Sequence, residues 1–163
     1  MVKQMKGSYE ILRKAFKLYC DRFSYAYFYG AKGEILTEKR MNELILSYPE
    51  YYSRFSPQAL EEIKRYSKGK KGLDCSGFLT KITGLYGNSA SLFECTVDKT
   101  TPYLGKAGYM LYKLGHCGVD IGYGYCMHIG TSGSTIEIAK NETIGWTNSG
   151  AFPGFDYSEA NNY

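Results

Sequence analysis

Histidine is scarce in this chain: His116 and His128 are the only two among 163 residues. Imidazole chemistry, if the chain performs any, must run through one or both of them. Long apolar runs are lacking as well. No segment approaches the roughly 20 residues a helix needs to cross a bilayer, which argues against membrane insertion. Met1 to Cys20 carries charges throughout and has no continuous apolar stretch, so it does not read as a secretion signal. Synthesis as a soluble cytoplasmic chain is the expectation. A disulfide framework is also missing: the five cysteines, at positions 20, 75, 95, 117 and 126, are odd in number and irregularly spaced. They read as free thiols of a reducing compartment. There is no internal repeat, no low-complexity tail and no nucleic-acid motif. The net charge of +4, from 20 basic and 16 acidic residues, forms no clustered basic face. Nucleic acid is therefore not an expected partner.

What is present is an ordinary globular composition, 44% hydrophobic and 22% charged, of a length that fits one domain. Tyrosine stands out with 17 residues, most of which are expected to pack. Ser8 reads as the cap of a first helix with Ile11, Leu12, Ala15, Phe16, Tyr19 and Phe23 on one face. Tyr25 to Gly33 reads as a short extended piece entering a turn. A second helix starts at Thr37, presents Met41, Leu44 and Ile45, and stops ahead of Pro49. A third begins at Ser56-Pro57, with Leu60, Ile63 and Tyr66 inward. Ser67 to Gly72 reads as a flexible basic connector. Beyond residue 90, β-type runs at Tyr109–Leu114, Cys117–Ile121, Tyr125–Ile129 and Thr135–Ile138 are divided by glycine turns, and a last strand is expected near Ile144–Thr147. Tight turns mean antiparallel pairing. Helices first and an antiparallel sheet second make an α+β domain.

The chemistry concentrates around Leu73-Asp74-Cys75-Ser76-Gly77-Phe78. Phe78, Leu79, Ile82 and Leu85 mark one buried helix face, which places Cys75 in the first turn. There the free N–H groups and the positive end of the helix dipole favour a thiolate. Packing as a small apolar residue is the competing reading. The two histidines flank a hairpin. With Gly122-Tyr123-Gly124 as a three-residue loop, Ile121 faces Tyr125 and Gly118 faces His128, so both imidazoles leave adjacent strands on one face. A two-residue loop would separate them. One histidine can deprotonate a thiol while a second polar group fixes its ring.

These residues resemble the NlpC/P60 cysteine peptidases of bacterial cell walls. Asp74-Cys75-Ser76-Gly77-Phe78 looks like that family's nucleophile motif. Gly115-His116-Cys117-Gly118-Val119-Asp120-Ile121-Gly122 is similar to its histidine strand, and Met127-His128 to the strand that follows. Tyr27-Phe28-Tyr29-Gly30-Ala31 resembles its upstream tyrosine motif. The resemblance spans roughly residues 25–140. It implies a papain-like fold with the nucleophile helix packed on a C-terminal antiparallel sheet, and one catalytic domain over residues 1–163 with a helical insertion at about 34–70. It implies Cys75 as nucleophile, His116 as general base and His128 as orienting group, with Tyr27, Asp74 and Ser76 holding the substrate's peptide end. The implied reaction is hydrolysis of stem peptides in peptidoglycan, typically after γ-linked D-glutamate, without cofactor or metal. Action at the wall, after release or as part of a phage-type particle, would follow.

The chain departs from the pattern at Ala31, where a glycine is usual, in the insertion, and at Asp120, which shares His116's face and could take the orienting role from His128. Other functions stay open. The same dyad could serve an N-acetylmuramoyl-L-alanine amidase, or an acyltransferase or deamidase on a non-wall substrate. His116, Cys117, Cys126 and His128 are zinc-type ligands on one hairpin, although adjacent strand residues point to opposite faces. A non-catalytic wall-binding module is the remaining reading. Trp146 is expected to pack over the sheet, Cys20 and Cys95 to be structural, and Cys126 to share His128's face.

Overall fold

The first helix shows how the chain settles its faces. In the computed structural model, which describes residues 5–160, a two-residue strand β1 (Lys6–Gly7) leads into α1 (Tyr9–Cys20). Ser8 stands at the N-cap, but its backbone is already helical and its hydroxyl caps nothing. Ile11 and Ala15 are fully buried, with Leu18 and Tyr19 beside them. Phe16 and Phe23, expected on this face, are 42% and 68% exposed. The buried stripe follows the i, i+4, i+7, i+8 rows, and Phe16 falls beside it. Phe23 lies past the helix end in a single 3₁₀ turn, where the Arg22 guanidinium covers its ring at 4.6 Å.

The next segment builds a small sheet and a second core. β2 (Tyr25–Tyr27) and β3 (Lys32–Ile35) precede three helices, α2 (Glu38–Ser47), α3 (Pro49–Tyr52) and α4 (Pro57–Ser67). Thr37 and Ser56 cap α2 and α4 through side-chain acceptors, as their positions predicted. Pro49 both ends α2 and opens α3 at a first-turn position, where its missing N–H costs nothing. Met41, Leu44, Tyr52 and Ile63 close over Ala26, Phe28, Ala31 and Leu36 as a cluster of their own. The supposed flexible connector is not one: it ends in β4 (Lys71–Leu73), the middle strand of the order β2-β4-β3. Gly72 is there for close approach, since a Cβ would sit 2.7 Å from that of Ala31.

After α5 (Cys75–Thr83) and α6 (Ser89–Glu94), the chain turns to strands: β5 (Val97–Thr100), β6 (Met110–Lys113), β7 (His116–Gly122), β8 (Tyr125–His128) and β9 (Glu137–Lys140). The expected last strand at Ile144–Thr147 does not form: α7 (Asn141–Ile144) ends on the first of those residues. Gly145 ends it at φ +74°, and the strand comes later as β10 (Asn148–Ala151). β11 (Phe155–Asp156) pairs in parallel with β1. The large sheet has the order β5-β10-β6-β7-β8-β9, every pair antiparallel. On one face Met110, Cys117, Val119, Met127 and Ile129 meet Ile11, Phe78, Leu79 and Ile82 of the helices. On the other, Leu111 and Cys126 pack with Trp146. The domain is α+β, with α5 laid on the antiparallel sheet as expected. No helix among the described residues is long and apolar enough to cross a membrane.

Candidate active site

Asp74 sets the position of Cys75. Its carboxylate accepts from the Gly77 N–H at 2.7 Å, capping α5 so that Cys75 is the first helical residue. Phe78, Leu79 and Ile82, all fully buried, anchor the helix against the sheet. Gly84, left-handed at φ +77°, ends it before Leu85, which still packs on the core, and Tyr86, which is exposed. The Cys75 thiol is partly buried beside Cys117 and His116. Hydrogen bonding from Cys117, then from His116, together with the imidazole's charge, overcomes the opposing effect of burial. They hold the thiol well below its usual range, at about 5. Cys117, wholly buried, is pushed the other way, first by burial and then by its neighbour, and remains a thiol that donates.

The hairpin brings the histidines together by a route different from the expected loop. The turn is the two-residue Tyr123-Gly124, both at positive φ, and Gly122 pairs with Tyr125. Alone, such a turn would put the imidazoles on opposite faces. A register shift between Asp120 and Gly122 adds the missing residue, so Val119 still faces Met127 and Asp120 faces Cys126. Asp120 is spent on this bulge, accepting from the Gly122 N–H at 2.8 Å, and burial raises its carboxyl to about 7. It is His128 that meets His116, Nδ1 to Nε2, at 2.8 Å. His128 is buried, and desolvation, then the neighbouring positive charge of His116 and Lys113, lowers it to about 4. It is a neutral ring near neutral pH.

Trp146 packs over the sheet as expected, and its indole also stacks on His116, centroids 5.2 Å apart and planes at 14°. Cys126 does lie on His128's face, yet it packs in the Trp146 cluster and points its thiol to the Ala139 carbonyl. Cys20 and Cys95 are exposed, which corrects their reading as structural residues. Cys117 belongs to the helix-side core and Cys126 to the opposite one, so the hairpin does not gather the four zinc-type ligands. Among the described residues no three His, Cys, Asp or Glu side chains are grouped to hold a metal ion.

Two hollows flank the Cys75–His116 pair. One, about 690 Å³, is lined by Tyr27, Tyr51, Arg54, His116 and His128. The other, about 550 Å³, is lined by Lys32, Tyr48, Asp74, Cys75 and Ser76; Tyr29 and Gly115 border both. A larger hollow of about 930 Å³, beside the start of α1, has no cysteine or histidine in its wall. Asp74 and Ser76 are joined to each other at 3.1 Å and to the ammonium of Lys32 at 2.9 and 2.7 Å. Tyr27 is buried on the other side, near Tyr51 and Cys75, and desolvation raises its hydroxyl strongly. The helical segment between β3 and β4 supplies much of the wall. Tyr51 stacks on Tyr29 at 4.3 Å, Tyr48 meets Tyr29 edge-on, and Arg54 caps Tyr51 at 4.3 Å.

Cys117 and Lys32 were not legible as site residues. In the sequence Cys117 stands only as one of four zinc-type ligands, on the strand face opposite His116, and Lys32 is given no role; only the packing of α5 brings either to Cys75. Compared with the sequence patterns of known protein families and with curated protein sequences, the chain matches none. Among solved structures it is similar to the NlpC/p60 domain of the peptidoglycan hydrolase SagA. The similarity covers 90% of this chain and 99% of that one, at 16% identity and a TM-score of 0.54. The chain therefore has the fold of an NlpC/p60 domain, with a cysteine at the head of its central helix and a histidine pair at the end of its sheet.

Proposed function

We propose that the protein is a cysteine hydrolase of bacterial peptidoglycan that cuts peptide bonds in the stem peptides, favouring the bond after γ-linked D-glutamate. The observation that carries this reading is the line Cys75–His116–His128, set on the fold of a peptidoglycan hydrolase domain. The Cys75 thiolate attacks the scissile carbonyl, and the protonated His116 gives its proton to the leaving amine. Water, deprotonated by His116, then releases the acyl group from Cys75. The Cys75 N–H, at the start of α5 and outside the helix's own ladder, serves as an oxyanion donor. Tyr27, Asp74 and Ser76 border the cleft where the peptide end is held, with Lys32 adding a positive charge to that group.

The test is mass spectrometry of products from purified peptidoglycan, with the native protein and with the protein alkylated by iodoacetamide. New stem-peptide fragments from the native protein alone are expected, and their masses identify the bond. Fragments that persist after alkylation, or none from several wall types, would overturn the reading.

A substitution tests the placement of the base. A Cβ at Gly130 would lie 2.7 Å from Cε1 of His116. Gly130→Ala is therefore expected to displace the imidazole and lower kcat about 100-fold with the fold intact, because small misplacements of a reacting group are costly. Unchanged turnover in this variant would remove His116 as the base.

A further inference from the structure

When Cys75 is a thiolate and His116 is charged, both His116 nitrogens carry hydrogen, and its Nε2–H points at His128 Nδ1, 2.8 Å away. His128 Nδ1 must then be the bare nitrogen. Being neutral, His128 carries its one hydrogen on Nε2. That atom is buried and has no hydrogen-bond partner among the described residues. The carboxylate Oε2 of Glu137 lies 3.9 Å from it. Glu137 stands directly opposite His128 in the β8–β9 register, and its other oxygen accepts from the Ser134 hydroxyl at 3.1 Å. Its side chain is 44% exposed, free to close on Nε2 or to reach it through one water.

We propose that Glu137 is a positioning residue that extends the line to four groups, holding the His128 hydrogen on Nε2 so that Nδ1 stays open to His116. This rests on the assignment of Cys75, His116 and His128 under Proposed function. The carboxylate acts on the tautomer of a neutral ring, not through an ion pair. Burial and the cations facing His128, His116 and Lys113, keep that ring uncharged. Cys75 on the far side of His116, and Tyr27, Tyr29, Tyr51, Glu50 and Arg54 around the adjoining hollow, are further titratable groups near the histidine pair. Neither Ser134 nor Glu137 belongs to a motif, and the pairing exists only because β9 starts at Glu137.

The experiment uses the whole protein labelled with ¹⁵N-histidine, whose four ring nitrogens NMR resolves, together with the pH profile of Cys75 alkylation by iodoacetamide. Neither readout needs a substrate. Failure to cut peptidoglycan would therefore refute the proposed function while leaving this test intact. Expected are an Nε2-protonated His128 in the native protein and a shift toward the Nδ1 tautomer in Glu137→Ala. The alkylation midpoint of that variant should rise by roughly one pH unit, as loss of a supporting acceptor commonly costs about tenfold. Glu137→Gln, which retains an acceptor oxygen, should stay close to the native profile. An Nδ1-protonated His128 in the native protein, which needs no variant, or identical midpoints in native and Glu137→Ala, would overturn the proposal.

Discussion

Cys75→Ala is expected to fold as the native protein does and to lose about four to six powers of ten in kcat, the scale of losses when a nucleophile acting as part of a unit is removed. The fold should survive because α5 is held by the Asp74 cap and by Phe78, Leu79 and Ile82, none of which depends on the sulfur. Thermal unfolding and product analysis of the same preparation separate the two effects. Activity in Cys75→Ala comparable with native would sink the covalent mechanism. The thiol also leaves a pH signature. A value lowered to about 5 means that thiolate is present above that pH and is lost as pH falls through it. Alkylation should accordingly rise near pH 5 and not near 9. Cys117→Ala removes the first of the groups that hold the thiolate, and its profile should move toward higher pH. If it does not move, His116 alone sets the thiol.

Trp146→Ala should cost about 3 kcal/mol of stability and lower kcat as well. The indole is 7% exposed, stacks on His116 and meets His128 edge-on at 6.1 Å. Its removal leaves a void against the sheet, in the range measured for large aromatic truncations, and releases the ring it holds. Urea unfolding gives the first number and steady-state kinetics the second. Trp146→Phe should recover most of the stability, since it keeps a flat ring over Gly118. A loss of stability with kcat unchanged would confine Trp146 to packing. The residue is the chain's single tryptophan, so its fluorescence reports directly on the histidine pair.

Much of the site was readable because it is local. The Asp74 cap, the face Phe78-Leu79-Ile82 and the glycine-bounded hairpin are decided within a few residues, and the period of each is visible in the chain. The register of the histidines was reached by a loop that does not form. A turn one residue shorter and a bulge one residue longer add up to the same parity, which periodicity cannot distinguish. Other features depend on what meets what. Ser67–Gly72 looked like a basic linker because Gly72 hides its role, which is to let β4 pass against Ala31 and Leu36. Phe16 looked inward because one helix has several faces until a sheet selects one. Val97–Thr100 carries a single apolar residue, and nothing in it signals a strand until β10 lies beside it. Lys32, Cys117 and Glu137 belong to the same class, since their neighbours are distant in sequence.

The helices between β3 and β4 close over a core of their own, apart from the one that joins α5 to the large sheet. Tyr51 packs against both cores, Cys75 against the one beneath the large sheet, and the two histidines against Trp146 on the opposite face of that sheet. If the proposed function holds, the cleft wall is carried mainly by the stretch between β3 and β4 and the reacting groups by α5, β7 and β8, with Tyr51 joining the two. Under the proposed function, the exposed Tyr48 is therefore where the range of accepted peptides can drift at least cost to the scaffold, whereas a change at Tyr51 is felt by both cores.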